Sequence, residues 1–487
     1  MLHALGGRMA AVFMLATSAP LALAAQEAPG ALAARVDAIF AALDRGDGPG
    51  AAVAVVLDGR VVLERGYGLA QLEHAAPITP ATVFHVASVS KQFTAFAIIL
   101  LAQDGKLSLD DPIQKHVPEL HDFGVPVRIR HLIHHTSGVR DQWELLQMAG
   151  WRMDDVITRD QIMALLARQR ELNFEPGAEY LYSNAGYTLL AEIVERVSGQ
   201  PFDAFLEARV FGPLGMGATH VHHDHLQVVP ERAYSYRQTG DGWQNAVLSY
   251  ANQGATSLFT TPGDLARWLV NLETGDVGGP AAVARLRERG VLNSGDTLNY
   301  AFALMRGEHR GRTTWGHSGS DAGFRAQVLH FPAERLGVVV LSNAANGNPG
   351  RLAAEVADVF LGVNVAEESA ERRGVQGGGG GGGGAEPVWQ PDATELAAYV
   401  GSYYSPELDV IYHVAPAADG LVTRHFKLGE LRTTPRTPDE FRMGSRTARF
   451  ERSATGGVTG FRLTGGRVRN LLFLRLADGA LPGWDGR

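Results

Sequence analysis

An unbroken run of eight glycines at residues 377–384 is the feature that most restricts how this 487-residue chain can fold. Glycine has no side chain to bury and loses the most conformational freedom on folding, so such a run cannot belong to a packed core. The sequence therefore predicts a flexible linker over residues 371–390. We expect a larger domain before it, residues 26–370, and a smaller one after it, residues 391–487.

The smaller domain is predicted to contain only β-strands. Its apolar and β-branched residues fall into short segments that turn residues separate at close intervals, which is typical of a small antiparallel barrel or sandwich. Six strands are predicted, at residues 399–404, 410–414, 421–428, 442–451, 460–463 and 470–476.

Residues 1–25 have the pattern of a secretory signal peptide. Arg8 gives a positive start, an apolar stretch follows, and Ala22 and Ala24 fit a cleavage site with small residues. The stretch is short and rich in alanine, so an uncleaved membrane anchor is the weaker alternative. We expect a periplasmic or secreted protein with no stable membrane span after the signal is removed.

Composition excludes several classes of function. The chain has no cysteine, which rules out disulfides, thiolate metal sites and a cysteine nucleophile. Its net charge of −8 comes with no basic stripe, so we expect no nucleic-acid partner. No metal or organic cofactor is implied. The histidines at residues 131–135 have no carboxylate at metalloprotease spacing, and they are predicted to be structural or solvated, like those at residues 222–225.

The stretch of residues 83–105 contains a predicted helix that ends at Gly105 and is buried on most of its circumference, because apolar side chains crowd every face after Lys91. Ser88 and Lys91 lie three residues apart at its beginning, so the hydroxyl and the amine share one face. Only four residues of the chain are lysines, and a desolvated lysine can lose its proton, whereas an arginine cannot. The pair suggests a serine nucleophile with an amine beside it, although a helix cap and a solvated cation would also explain it.

Strand signals lie on both sides of this helix. Residues 51–57 and 60–64 flank an Asp-Gly pair, the signal of a two-residue hairpin, and we expect the helix to pack on the sheet that they begin. Four more strands of one antiparallel sheet are predicted at residues 300–305, 312–316, 324–331 and 336–342.

Two further polar groups are candidates for a site. Tyr182 and Asn184 precede a predicted helix at residues 185–197, where both side chains can enter one cleft, although Asn184 is also explained as a helix cap. His317 and Gly319 lie between two predicted strands. Gly319 allows close approach of the backbone to a ligand, and the neighbouring amides can donate to an oxyanion.

These three pairs occur in an order that resembles the serine beta-lactamase and penicillin-binding-protein superfamily. The sequence is most similar to its class C-like serine hydrolases, which include D-aminopeptidases, alkaline D-peptidases and esterases. The segments HVASVSKQFTA, LIHHTSG, YLYSNAGYTLLAEIVERVSGQPF and PLGM carry the resemblance. Class C beta-lactamases and many transpeptidases have a lysine where this chain has His317, which lowers the expectation of efficient beta-lactam hydrolysis.

The resemblance implies an α+β fold, in which an antiparallel sheet is flanked by helices and joined to an all-α subdomain. A C-terminal barrel domain, lipocalin-like in several relatives, accompanies this fold. The resemblance also implies catalytic roles. Ser88 attacks a carbonyl, Lys91 accepts its proton, and Tyr182 passes the proton to the leaving group.

Binding roles follow from the same resemblance. The amides of Ser88 and Ser320 would form the oxyanion hole. Asn184 would orient the substrate amide, and His317, next to Gly319, would hold its carboxylate or terminal group. Because free histidine titrates near pH 6–7, direct contact predicts that substrate affinity changes in that range, whereas a structural role for His317 is the alternative.

The expected function is that of an exported serine hydrolase that forms an acyl-enzyme on amide or ester bonds, above all in peptides that contain D-amino acids. D-aminopeptidase and D-Ala carboxypeptidase activities both fit. A carboxylesterase or a weak beta-lactamase on the same site is the first alternative, and a non-catalytic penicillin-binding protein that senses muropeptides is the second. The expected partner is a small peptide or ester, peptidoglycan fragments included, and the sequence leaves the oligomeric state open.

Overall fold

A computed structural model describes residues 29–240, 242–249, 252–363, 389–418 and 420–477. The predicted signal peptide and nearly all of the predicted linker lie outside these residues. Within the part of the chain that the structure describes, no helix is long and apolar enough to cross a membrane.

The helices are α1 Pro29–Phe40, α2 Lys91–Gln103, α3 Ile129–Ile133, α4 Gln142–Met148, α5 Arg159–Ala167, α6 Asn184–Ser198, α7 Phe202–Leu206, α8 Gly212–Leu214, α9 Pro262–Thr274, α10 Gly279–Leu286, α11 Pro349–Phe360 and α12 Ala393–Ala397. Short 3₁₀ turns lie at Ala87–Ser90 and Ile113–Lys115, and a π-helical turn at Glu207–Phe211.

The strands before the glycine run are β1 Ala51–Leu57, β2 Arg60–Tyr67, β3 Leu69–Gln71, β4 Ala76–Pro77, β5 Phe84–His85, β6 His220–Val221, β7 Tyr236–Thr239, β8 Gly242–Asn245, β9 Leu258–Thr260, β10 Met305–His309, β11 Arg312–Asp321, β12 Phe324–Phe331 and β13 Leu336–Ser342. Those after it are β14 Gly401–Ser405, β15 Val410–Ala417, β16 Gly420–His425, β17 Gly429–Thr437, β18 Glu440–Met443, β19 Arg446–Arg452, β20 Val458–Gly465 and β21 Val468–Arg475.

Six strands form the central antiparallel sheet, in the order β10, β11, β12, β13, β1, β2. β1 is buried on both faces because its alternate side chains enter two different cores. Val53 and Val55 pack with α1 and α11 on one face, whereas Ala52 and Ala54 belong to the core that contains α2 and α9. This arrangement confirms the predicted α+β class.

α2 lies at the centre of the helical part of the molecule. All of its residues from Lys91 to Leu101 are buried, as predicted. The sequence predicted that α2 packs on the sheet, but α9 makes most of that contact. Trp268 of α9 packs in turn on Phe93 and Phe96 of α2. A helix that is apolar on every side suits the middle of a helical layer, whereas α9 has one apolar face for the sheet.

Two predictions about the sheet need correction. Residues 300–304 form no strand, and β10 begins at Met305. β11 is longer than predicted and contains His317 and Gly319, because its pairing with β12 continues to Asp321 after β10 has ended. The predicted hairpin is confirmed: Asp58 and Gly59 have φ angles of 51° and 73°, as this turn requires.

The C-terminal domain is a closed barrel in which β14 to β21 pair antiparallel in sequence order. The barrel is confirmed, but it has eight strands rather than six. The sequence did not predict β17, and the strand predicted at residues 442–451 is in fact two, β18 and β19, because the chain turns at Gly444, which has a positive φ.

One buried ion pair joins the barrel to the larger domain. Arg140 is fully buried, and its NH1 donates to both carboxylate oxygens of Glu407, at 2.9 and 2.8 Å. Its other nitrogens donate to the Arg469 carbonyl at 3.2 and 3.1 Å. Nearby, the Tyr412 hydroxyl donates to the Met148 carbonyl at 2.7 Å. The barrel is therefore fixed against the loop that precedes α4.

Candidate active site

Ser88 lies in the 3₁₀ turn that leads into α2. Ala87 adopts a φ of 49°, and Ser90 Oγ donates to its carbonyl at 2.6 Å. Ser90 Oγ also accepts from the Leu258 amide at 3.1 Å, which ties the turn to β9. Ser88 is half-buried between buried neighbours, so this turn presents one hydroxyl to the cleft.

Lys91 is fully buried next to that hydroxyl. Its Nζ lies 3.0 Å from Ser88 Oγ, 2.8 Å from Asn184 Oδ1 and 2.6 Å from the Ala255 carbonyl oxygen. The last two oxygens only accept hydrogen bonds, whereas the hydroxyl also donates. A neutral Lys91 amine therefore points its two N–H groups at Asn184 and Ala255 and its lone pair at the Ser88 hydroxyl.

Burial lowers the pKa of Lys91 to about 7. Asp141 and Asp321 oppose this change, and Arg467 assists it. The amine form is consequently populated at neutral pH, which a general base requires.

Asp141 sets the orientation of Asn184 at the start of α6. Asp141 Oδ2 accepts from the Asn184 amide at 2.7 Å and from Asn184 Nδ2 at 2.8 Å. A carboxylate only accepts, so Asn184 Nδ2 must face Asp141 and its Oδ1 must face Lys91. Asp141 also caps α4 by accepting from the Trp143 and Glu144 amides.

Tyr182 lies on the other side of Lys91, with Nζ 5.0 Å from the ring centroid. Its hydroxyl is buried and makes no hydrogen bond to any described residue. Burial raises the pKa of Tyr182, and the nearby Ser88 hydroxyl opposes only part of that rise. Tyr182 is therefore a neutral phenol with an uncommitted proton.

His317 ends a chain of hydrogen bonds that begins at Ser183. The Ser183 amide donates to His135 Nδ1 at 3.1 Å, which places the proton of a neutral His135 on Nε2. Tyr300 Oη lies 3.1 Å from His135 Nε2 and 3.2 Å from His317 Nε2. His317 Nδ1 lies 2.6 Å from the Ser318 carbonyl oxygen and must donate to it. We infer that Tyr300 accepts from His135 and donates to His317.

Both histidines of this chain are neutral. Burial lowers the pKa of His317 to about 4 and that of His135 well below its usual value. The titration of His317 near pH 6–7 that the sequence suggested is thus not expected from the structure. Both ring nitrogens of His317 make hydrogen bonds within the protein. Its side chain thereby connects the segment of Tyr182 and Asn184 to the strand that contains Gly319.

Gly319 brings β11 against the turn that carries Ser88. A Cβ atom at Gly319 would lie 2.2 Å from the Val86 carbonyl oxygen, so no larger residue fits. Ser320 follows on the same strand, so the two segments that carry the predicted oxyanion donors are neighbours. Asp321 ends the strand and accepts from Thr256 Oγ1 at 2.8 Å.

One charged side chain reaches this site from the barrel. Arg467, in the turn between β20 and β21, has its NH2 3.3 Å from Asp141 Oδ1. Its guanidinium carbon lies 5.8 Å from the ring centroid of Tyr182. The site therefore contains groups from both domains.

Residues 36–362 match the beta-lactamase family. The chain belongs to this family. It is a serine hydrolase, as the motifs predicted.

Two curated relatives of this beta-lactamase-family enzyme are D-aminopeptidases. The protein of Gluconobacter oxydans is 28% identical over 400 residues, which are 82% of this chain and 71% of the relative. The protein of Brucella anthropi is 30% identical over 322 residues, which are 66% of this chain and 61% of the relative. Both matches confirm the resemblance to the D-aminopeptidase branch.

Among solved structures, the octameric penicillin-binding protein homologue from Pyrococcus abyssi is similar to this chain with a TM-score of 0.61 at 23% identity. The match covers 91% of this chain and 99% of that one. This likeness concerns the fold alone.

Four residues at the site of this serine hydrolase were not predicted from its sequence: Asp141, His135, Tyr300 and Arg467. Asp141 had a local signal, since an aspartate is a preferred residue at the cap position directly before a helix such as α4. His135 was assigned to a group of structural or solvated histidines. Tyr300 and Arg467 are far in sequence from their partners, and no local pattern marks them.

Three other histidines from the groups that the sequence singled out lie outside the site. His131 Nδ1 accepts from the Arg128 amide at 3.2 Å, and the His134 ring contacts Phe302 edge to face. His223 is exposed near Asp203. In the described ranges, no group of three or more histidine, aspartate or glutamate side chains is arranged to hold a metal ion.

Proposed function

We propose that this protein is an exported serine hydrolase that cleaves amide or ester bonds of peptides containing D-amino acids, through an acyl-enzyme on Ser88. The contacts of Lys91 Nζ carry the proposal. A buried amine with two acceptor-only partners and one hydroxyl, and with a pKa of about 7, is arranged to take a proton from that hydroxyl.

Acylation begins when Ser88 Oγ attacks the substrate carbonyl carbon and its proton passes to Lys91 Nζ. The carbonyl oxygen becomes an oxyanion, which the amides of Ser88 and Ser320 would stabilise. Each such donor lowers the barrier by about 3–4 kcal/mol. The charge on Lys91 is then stabilised by Asn184 Oδ1 and the Ala255 carbonyl.

Tyr182 would complete the proton path. Its neutral hydroxyl donates to the leaving-group nitrogen or oxygen as the bond to the carbonyl carbon breaks, and it recovers a proton from Lys91. Deacylation reverses the path, since a water molecule loses a proton toward Tyr182 and Lys91 as it attacks the ester of Ser88. Asn184 and Gly319 border the space in which the acyl group would lie.

The D-aminopeptidase relatives support the choice of substrate. A chain that has lost a signal peptide would meet its substrates in the periplasm or the medium, where peptidoglycan fragments supply D-amino acids. N-terminal sequencing of the secreted protein tests export, and a mature chain that begins near residue 26 is expected.

The decisive experiment is intact mass spectrometry after incubation with a penicillin, together with turnover of D- and L-alanine p-nitroanilides and p-nitrophenyl esters. We expect an acyl adduct on Ser88 and release of D-alanine in preference to L-alanine. Ester turnover without cleavage of D-amides would favour a carboxylesterase. Stable acylation with no turnover would favour a muropeptide sensor.

Two serines of the same turn provide the matched control. Ser88→Ala should abolish both the adduct and turnover while the protein stays folded. Ser90→Ala removes a hydroxyl that bonds only within the turn and to β9, so it should lower thermal stability and keep the adduct. An adduct that persists in Ser88→Ala contradicts the assignment of the nucleophile.

A further inference from the structure

The turn between β20 and β21 is built to approach the cleft. Gly466 has a φ of 54°, and a Cβ atom there would lie 2.6 Å from a carboxylate oxygen of Glu144. Asn173 of the larger domain holds the backbone beyond it, since its Nδ2 donates to the Arg467 carbonyl at 2.9 Å and its Oδ1 accepts from the Arg469 amide at 2.8 Å. These contacts fix the backbone at Arg467.

The Arg467 side chain ends at a carboxylate that has no exposed surface. Its NH2 lies 3.3 Å from Asp141 Oδ1, and its Nε lies 3.8 Å from Glu144 Oε1. Asp141 is completely buried, whereas the Arg467 side chain is 31% exposed. A buried carboxylate needs a positive partner as well as hydrogen bonds, and Arg467 is that partner.

Asp141 transmits this contact to the catalytic lysine. Its second oxygen holds both the backbone and the side-chain amide of Asn184, whose Oδ1 accepts from Lys91 Nζ. A continuous set of contacts thus runs from the barrel turn to the amine beside Ser88. The preceding residue, Arg140, anchors the same loop to the barrel through Glu407.

We propose that the barrel completes the active site through Arg467, a positioning residue that neutralises Asp141 and so keeps the Asn184 amide and the Lys91 amine in their reactive arrangement. This inference rests on the proposed acyl-enzyme at Ser88. It assigns to the C-terminal domain the task of positioning the groups that take part in catalysis.

The charges around Lys91 predict the sign of the effect. Asp141 and Asp321 favour the ammonium form, whereas Arg467 favours the amine. The rings of Tyr182 and Tyr187 face Nζ at 5.0 and 5.6 Å, and His135 and His317 are neutral. Removal of Arg467 leaves the negative charge of Asp141 unopposed, so Lys91 should hold its proton to a higher pH.

The test is the pH dependence of Ser88 phosphonylation by a fluorophosphonate probe, in which Oγ displaces fluoride from phosphorus, followed by intact mass from pH 5.5 to 9. In Arg467→Ala, the midpoint should rise by about half to one pH unit and the rate at pH 7 should fall by about twofold to fivefold, with recovery at high pH. Arg467→Lys retains the charge and should keep the midpoint of the wild type.

Arg469→Ala is the matched control, because Arg469 lies in the same hairpin and pairs across the interface with Glu179 at 2.8 Å, away from Asp141. It should leave the midpoint and the rate unchanged. An unchanged midpoint in Arg467→Ala overturns the inference, as does a uniform loss of rate that Arg469→Ala shares. Absence of labelling of the wild type at every pH would instead contradict the proposed function.

Discussion

Two fully buried cations, Lys91 in the cleft and Arg140 at the domain interface, have opposite surroundings. Lys91 touches a hydroxyl, an amide oxygen and a carbonyl oxygen, all of them uncharged. Arg140 touches both oxygens of the Glu407 carboxylate. A buried cation must either give up its proton or keep a counter-charge, and only lysine can do the former. The surroundings of the first cation therefore suit the role of base that we propose for it, and the second cation joins two domains.

The largest expected effect comes from exchanging the two side-chain types. Lys91→Arg keeps the charge but cannot accept a proton, so kcat/KM should fall by about 10²- to 10⁴-fold. Arg140→Lys keeps the charge opposite Glu407 and should retain most of the turnover at lower thermal stability. Steady-state kinetics and thermal unfolding of both variants provide the measurement. Substantial turnover by Lys91→Arg would show that Lys91 is not the base.

Removal of the Glu407 charge tests whether Arg140, the buried cation at the domain interface, needs a counter-charge. Glu407→Gln leaves Arg140 buried without a carboxylate, and it should destabilise the protein by about 3–5 kcal/mol, measured by chemical or thermal unfolding. Glu430→Gln, which removes the exposed partner of Arg424 on the barrel, is the control and should change stability little. Equal effects of the two substitutions would contradict a special role for the buried pair.

The pH dependence of kcat/KM tests the role of Lys91, the buried cation in the cleft. In the proposed mechanism Lys91 acts as the amine, and burial lowers its pKa to about 7, so kcat/KM should rise about tenfold per pH unit below 7 and level off above about pH 8. His317 adds no step in this range, because burial places its pKa at about 4. A flat profile between pH 5.5 and 8 would mean that Lys91 does not titrate there.

The smallest effect concerns the neutral groups near Lys91. Tyr300→Phe keeps the ring but leaves His135 Nε2 and His317 Nε2 without their shared partner, at a cost of about 1–3 kcal/mol in stability and up to about tenfold in rate. Tyr180→Phe is the control, because it removes the hydroxyl of a neighbouring ring that lies outside this chain of hydrogen bonds. If both variants behave alike, the chain does not position His317.

Local patterns predicted much of this molecule. The Asp58-Gly59 hairpin, the buried α2 and the pairing of Ser88 with Lys91 all depend on residues a few positions apart, where geometry follows directly from spacing. The family resemblance then placed Tyr182 and His317 in the same site, and the structure brings both close to Lys91.

What the sequence did not show depends on contacts between distant segments. Tyr300 was assigned to a strand, although its hydroxyl joins His135 to His317. Arg467 looked like one arginine among forty, and only the docked barrel brings it to Asp141. The mostly polar strand β17 was not predicted, and the strand predicted at residues 442–451 was in fact two, because a single glycine is a weak signal of a turn within an apolar run.

The pairing of β1 with β13 has a consequence for the order of folding. The barrel strands pair only with neighbours in sequence, apart from the closure of β14 on β21, so that domain forms mostly local contacts. The central sheet must instead wait until residue 342 has been synthesised, since Ala51 pairs with Ser342. Until then β1 and β2 can form no more than an isolated hairpin, and the sheet that separates the two cores of the larger domain closes only after β13 has emerged.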